Sequence, residues 1–192
     1  MRIYLETATT GLPKSMGNGA PAIQPHLLRL AMLRDDALDR PLSTLVQIPP
    51  DVVIENGAAY AHGITQEVAA RATVSAADVL EDLLPTILQA EEILAYGADF
   101  HRKVLEATIL RAGLSVPEWK GSWRCVMADA TDIVRARLVS QNRWKSPSFA
   151  EAYRYFAGED FRADPDPSRA GIDKVRAIAR IHAGIINAKE TS

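Results

Sequence analysis

The chain has little with which to build a covalent or membrane-bound protein. Cys125 is its only cysteine, so an internal disulfide is excluded and a reducing compartment is expected. No apolar run is long enough to cross a bilayer, and the first residues show no signal-peptide pattern. These absences make a soluble, cytoplasmic protein with no membrane partner the expectation. Charge of either sign is not in excess: 22 Lys and Arg against 24 Asp and Glu leave a formal net charge of −2. No long-range field therefore draws the chain to nucleic acid, and any such contact needs a local basic patch. There is no internal repeat and no low-complexity tract. What remains is 192 residues of ordinary composition, enough for one domain, residues 1–192, with a full core.

Short apolar runs open the chain. Met1 to Leu5 reads as a strand, His26 to Leu33 as a second, and Leu42 to Ile48 as a third closed by Pro49-Pro50. Thr9 to Pro21 is rich in glycine and proline and reads as a loop, and its glycine-rich part, Lys14 to Pro21, lacks phosphate-loop spacing. Helical texture follows. Thr65 caps a short helix, and Ser75 to Ala90 carries a helical apolar stripe with Pro85 inside it, where a kink is expected. Ile93 to Tyr96 is a short buried strand, and Phe100 to Ala112 is helical up to Gly113. Trp119 to Ala130 has no clear period. Helices are expected over Asp132–Val139, Ser148–Phe156 and Ile172–Ala188, with a chain break at Asp164-Pro165-Asp166-Pro167. Strands followed by helices alternating with a strand make a mixed α/β domain.

Particular motifs narrow this. Glu6-Thr7-Ala8-Thr9-Thr10-Gly11-Leu12 lies on the first strand, and His62-Gly63-Ile64-Thr65 precedes a helix. Leu94-Ala95-Tyr96-Gly97-Ala98-Asp99-Phe100-His101 leads into another. Ser148-Phe149-Ala150-Glu151-Ala152-Tyr153 and Lys174-Val175-Arg176-Ala177 follow in order. Together these resemble the DEDD-type 3′–5′ exonucleases, the epsilon-subunit or DnaQ-like family, over roughly Met1 to Ile186. The resemblance implies a ribonuclease-H-like fold: a five-stranded mixed sheet flanked by helices.

The resemblance also implies a chemistry that this sequence departs from. The family uses two divalent metals held by four carboxylates, with a histidine as general base. In register, Glu6 stands where the family has its first Asp and Ala8 where it has Glu. His101 stands for the second-motif Asp and Gly97 for its Asn. Lys174 stands for the last Asp and Arg169 for the histidine five before it. One carboxylate of four survives and the base is gone. The expectation is a catalytically degenerate member, with no catalytic residues and no metal cofactor. Asp99 and Asp173 each lie near a lost ligand, two residues and one residue away, but one step along a helix already turns a side chain by about 100°. An ion pair between Glu6 and Lys174 is expected, because a buried lysine needs a counter-charge.

The functional reading is a pseudo-nuclease that binds. A protein partner is expected ahead of nucleic acid, which would bind weakly. A non-catalytic copy suits inhibition or scaffolding, of the kind phages and mobile elements carry. Residues that would touch nucleic acid are Thr9, Gly11, Leu12, Arg143, Trp144, Lys145, Arg169 and Lys174; the basic stretch with Trp144 suits phosphate contact and stacking. The alternative is an active 3′–5′ exonuclease with a rearranged site, which alone would require Mg²⁺ or Mn²⁺.

Overall fold

The computed structural model describes residues 1–13, 24–138 and 143–191. Three strands come first: β1 (Arg2–Thr9), β2 (Leu27–Arg34) and β3 (Leu42–Leu45). Three helices follow: α1 (Asn56–His62), α2 (Gln66–Ala69) and α3 (Ala76–Leu88). Then come β4 (Glu92–Ala95), α4 (Ala98–Arg111), β5 (Ser122–Cys125) and α5 (Val126–Val134). A small hairpin of β6 (Arg137–Leu138) and β7 (Arg143–Trp144) precedes α6 (Phe149–Ala157) and α7 (Pro167–Glu190).

The five-stranded sheet has the order β3-β2-β1-β4-β5, with β1 at its centre. β1 is antiparallel to β2 and parallel to β4, so the sheet is mixed, as the resemblance implies. Alternation along β1 divides the core into two layers. Ile3 and Leu5 point to the layer of α3 and α4, against Val79, Leu80, Val104 and Leu105. Tyr4 points the other way, against Val175, Ile178 and Ile181 of α7 and Val126 of α5. Glu6 and Ala8 continue that second face beyond the end of β4, where β1 has no parallel neighbour past Tyr4. A sheet centre that outruns its neighbour leaves a cleft, and α7 lies across β1 and β2 beside it.

Several local expectations need correction. The helix expected over Asp132–Val139 begins earlier, at Val126, and ends at Arg135, which takes a left-handed φ of 49°. Arg137–Leu138 then pairs with Arg143–Trp144, and Val139 lies outside the described residues. The final helix starts at Pro167 rather than Ile172. Asp166 caps it by accepting from the Ser168 N–H, and proline fits the first helical turn, where an N–H is not needed. The pair read as a breaker is a helix start. α1 buries no residue and so shows no apolar stripe to read; it stops at Gly63, whose φ of 75° suits glycine. α3 runs through Pro85. β1 continues to Thr9, and most of the expected Thr9–Pro21 loop lies outside the described residues. No helix among the described residues is long and apolar enough to cross a membrane.

Candidate functional site in the cleft beside the central strand

A cleft of about 410 Å³ opens beyond the C-terminal half of β1. Its floor is Glu6, Thr7, Ala8 and Thr9, one rim is Gly11 and Leu12, and the facing wall is α1 with Glu55 and His62. Phe100 of α4 and Lys174 of α7 close the far side. A second recess, of about 230 Å³, shares Ala61, His62 and Lys174 with it and is backed by Arg29 and Pro167.

The chemistry of the floor is set by Arg29, which the motif reading did not single out. On β2 it lies directly opposite Ala8, so the two side chains share a face. An alanine leaves the space that a longer residue would fill, and the arginine reaches across it. Its Nη2 donates to both oxygens of Glu6, at 3.0 and 3.1 Å, and its Nε donates to Oε2 at 3.3 Å. Its Nη1 donates to the Pro167 carbonyl at the start of α7, at 2.5 Å. Arg29 is 1% exposed and Glu6 12%. α7 comes so close that a Cβ on Gly171 would lie 2.7 Å from Arg29 Nε and 2.5 Å from Ser43 Oγ. Glycine is required there by space. The sequence did carry a signal for Arg29: it is the one charge inside the apolar run Leu27 to Leu33.

The expected pairing of Glu6 with Lys174 is therefore corrected. Arg29 occupies both oxygens of Glu6. The Lys174 ammonium instead lies 4.0 Å from the ring centre of Phe149 and 4.8 Å from that of Phe161. Aromatic faces attract a cation that has left water. Burial, reinforced by Arg29, still holds the lysine below its ordinary pKa, against an opposing pull from Glu6.

His101 turns away from the cleft. It sits on α4, the layer faced by the odd positions of β1, and meets Thr7 there. The Thr7 backbone N–H donates to Nδ1 at 3.0 Å, and the Thr7 hydroxyl lies 2.8 Å from the same nitrogen. Nδ1 is thus unprotonated, and Nε2 carries the proton toward the Tyr96 carbonyl, 3.3 Å away. The ring stands in for a strand partner that β4 does not supply. His62 is used similarly: it accepts from the Ile64 N–H at 3.1 Å and faces the Thr9 carbonyl at 3.0 Å.

Of the other sequence candidates, Thr9, Gly11 and Leu12 line the cleft. The Thr9 hydroxyl is spent on the Gly11 carbonyl at 2.6 Å. A Cβ on Gly11 would come within 2.6 Å of the Glu55 carboxylate, so Gly11 allows that acid to lean over the rim. Arg169 is exposed and belongs to the walls of neither cavity. Trp144 is exposed on the small hairpin, and Lys145 pairs with Glu151 at the capped start of α6. Lys145 in turn pulls the Glu151 carboxyl down to about 2. The side chain of Arg143 lies outside the described set. Asp99 is exposed, and Asp173 accepts from the Asp164 N–H at 2.8 Å.

These donors do not fit a pair of divalent ions. Hard cations need several free oxygen ligands. Here Glu6 is covered by a guanidinium, Ala8 offers nothing, the His101 lone pair is taken, and Lys174 brings a positive charge. Among the described residues no group of three or more His, Cys, Asp or Glu could hold a metal.

The neutral His101 has a consequence for acid stability. Burial lowers its pKa, and all four histidines lie below the ordinary value for the same first cause. The unfolded chain protonates below about pH 6.5, while the folded chain resists. Stability is therefore fully present above that value and is lost as pH falls through the lowered folded pKa. We expect the melting temperature to fall from about pH 7 to about pH 5, with a shallower slope in His101→Gln. Equal slopes in the two proteins would show that His101 is not one of the groups responsible.

No family model matches the chain, and no curated protein matches it. Solved structures do. Exonuclease X in complex with 5′-overhanging duplex DNA aligns over 98% of this chain and 92% of its own, with 22% identity and a TM-score of 0.59. The nuclease domain of 3′hExo, a DEDDh family member bound to rAMP, aligns over 97% and 92%, with 16% identity and a TM-score of 0.66. The E. coli exonuclease I–ssDNA complex aligns over 99% of this chain and 41% of its own, with 16% identity and a TM-score of 0.69. At such identities the likeness is one of fold: the chain has the DnaQ-like, ribonuclease-H-like exonuclease fold.

Proposed function

We propose that this chain is a catalytically inactive protein of exonuclease fold that works by binding. The observation that carries the reading is the Arg29–Glu6 pair at the cleft floor. It occupies the one surviving carboxylate with an internal cation, and Lys174 adds a second cation. A buried guanidinium bonded to a carboxylate and to the backbone carbonyl at the foot of a helix is a built feature. A decayed metal site would leave an unpaired acid or a void.

A protein partner suits the surface better than nucleic acid does. The structural neighbours exonuclease X and exonuclease I are seen with DNA, whereas of the candidate cations among the described residues only Lys174 lines this cleft. Arg29 is buried, Lys145 is paired and Arg169 stands away from the cleft, while Glu55 places a carboxylate on its rim. Tyr60, Val53 and Leu12 are 95%, 77% and 76% exposed, and they are apolar surface that a protein partner would cover. Inhibition or scaffolding is the role this supports.

The experiment is oligonucleotide binding in EDTA at low and physiological salt, for the wild type and for Arg169→Ala with Lys174→Ala. We expect weak binding that falls steeply with salt. Tight binding that survives physiological salt and disappears in the double variant would move the function to nucleic-acid binding.

A further inference from the structure

Helix α3 carries two apolar stripes, and only one of them is fully buried. Val79, Leu80, Leu83 and Ile87 face the sheet and fill the core. Ala77, Leu84 and Leu88 recur at helical spacing on the neighbouring face and stay partly open to water. They line a groove of about 440 Å³ whose other wall is Ala112 and Leu114, at the end of α4. That wall is fixed. Gly113 takes a left-handed φ of 78°, and the Leu114 N–H donates to the Ile109 carbonyl at 3.1 Å. The bond closes the helix end and leaves Leu114 49% exposed. The groove shares no residue with the cleft beside β1.

Shape and chemistry restrict the occupant. The stripe from Ala77 to Leu88 runs along α3 for about 16 Å at a rise of about 1.5 Å per residue. A straight apolar face of that length with a second wall beside it receives a helix. An extended peptide would set its backbone N–H and C=O groups against carbon, and α3 and α4 offer no open strand edge to pair them. A helix satisfies its own backbone. The one charged residue lining the groove is Glu81, and α3 carries Asp78, Glu81 and Asp82 with no basic residue. Asp78 is spent on the Ser75 capping box. Among the described residues Glu81 has no ion-pair partner. Pro85, in the same lining, has no N–H to give to the Glu81 carbonyl four residues back. Glu81 therefore presents a carboxylate and a carbonyl without its usual helical donor. A partner that covers the groove strips water from these acceptors and must bring a cationic donor. We propose that the groove docks an amphipathic α-helix of a partner protein, its apolar stripe against Leu84, Leu88 and Leu114 and a lysine or arginine within that stripe on Glu81. This surface stands whether or not the cleft beside β1 is catalytic.

The test is NMR titration of the full chain with amidated peptides of about 18 residues, long enough to hold a helix. One peptide carries leucines at helical spacing on one face with a lysine among them; the other has glutamate in place of that lysine. The lysine peptide should shift the amides of Leu84, Leu88, Ala112 and Leu114. It should bind at least about tenfold more tightly than the glutamate peptide. Glu81→Lys, a change at an exposed position, should reverse that order. Leu114→Asp should weaken both peptides by at least about tenfold. Melting curves verify that the variants fold; should Leu114→Asp fail to fold, the charge reversal at Glu81 decides. Equal binding of the two peptides, or no binding of either at millimolar concentration, would overturn the proposal. Shifts confined to the cleft beside β1 would do the same. Self-association of the wild type in sedimentation equilibrium, abolished by Leu114→Asp, would give the groove to a second copy of this chain and overturn the partner helix. None of these results bears on the non-catalytic reading, which turnover tests separately.

Discussion

Arg29→Ala should destabilise the protein by about 3–5 kcal/mol, the largest single-residue effect in this chain outside the aliphatic core. The substitution leaves Glu6 in a site where it is only 12% exposed, with no cation on its oxygens. It also removes the donor that reaches the Pro167 carbonyl and so loosens the foot of α7. For a domain of this size, that loss lowers the melting temperature by roughly 6–20 °C. The paired replacement behaves differently. Arg29→Met with Glu6→Leu removes both charges and keeps apolar volume, and such exchanges are often near neutral. The expected pattern is one severe variant and one mild double variant, read by denaturant unfolding. Equal damage from both would mean that packing rather than charge pairing carries the contribution of Arg29.

The second large effect concerns the return of a metal. Replacing the degenerate positions with the residues of the resembling family means Glu6→Asp, Ala8→Glu, His101→Asp, Arg169→His and Lys174→Asp. With Arg29 in place this variant should still fail to bind Mn²⁺ tightly. A guanidinium about 4 Å from a divalent ion opposes it by about 8 kcal/mol at an effective dielectric near 20. The restored carboxylates would also pair with the arginine, which already bonds position 6 and lies opposite position 8. Adding Arg29→Leu to the five changes should strengthen Mn²⁺ binding by at least about a hundredfold. Two tight Mn²⁺ sites in the five-residue variant, Arg29 intact, would refute this account of the floor.

The same residue marks the limit of reading this chain from its sequence. The frame Thr9-Thr10-Gly11-Leu12 fixed which residues of β1 face the cleft, because strand alternation is a rigid rule. A mixed five-stranded sheet with β1 at its centre was implied by the resemblance that the motifs on β1, α4 and α7 carry. Pairing partners were less legible. Glu6 met Arg29 rather than Lys174 because cross-strand register decides which side chains touch, and register is not visible in one strand alone. His101 turned to Thr7 for a similar reason: β4 ends early, and a backbone N–H on the central strand needed an acceptor. Helix boundaries are hard to read where a stripe is absent, as in α1, or where a proline opens a helix, as at Asp166-Pro167.

The central claim is that the cleft does not hydrolyse nucleic acid, and turnover measures it most directly. End-labelled single-stranded DNA and RNA are incubated with the unmodified chain and with Glu6→Ala, in Mg²⁺ and in Mn²⁺. The account predicts no shortening above buffer in either protein with either metal. Processive 3′–5′ shortening by the unmodified chain, abolished by Glu6→Ala, would contradict it.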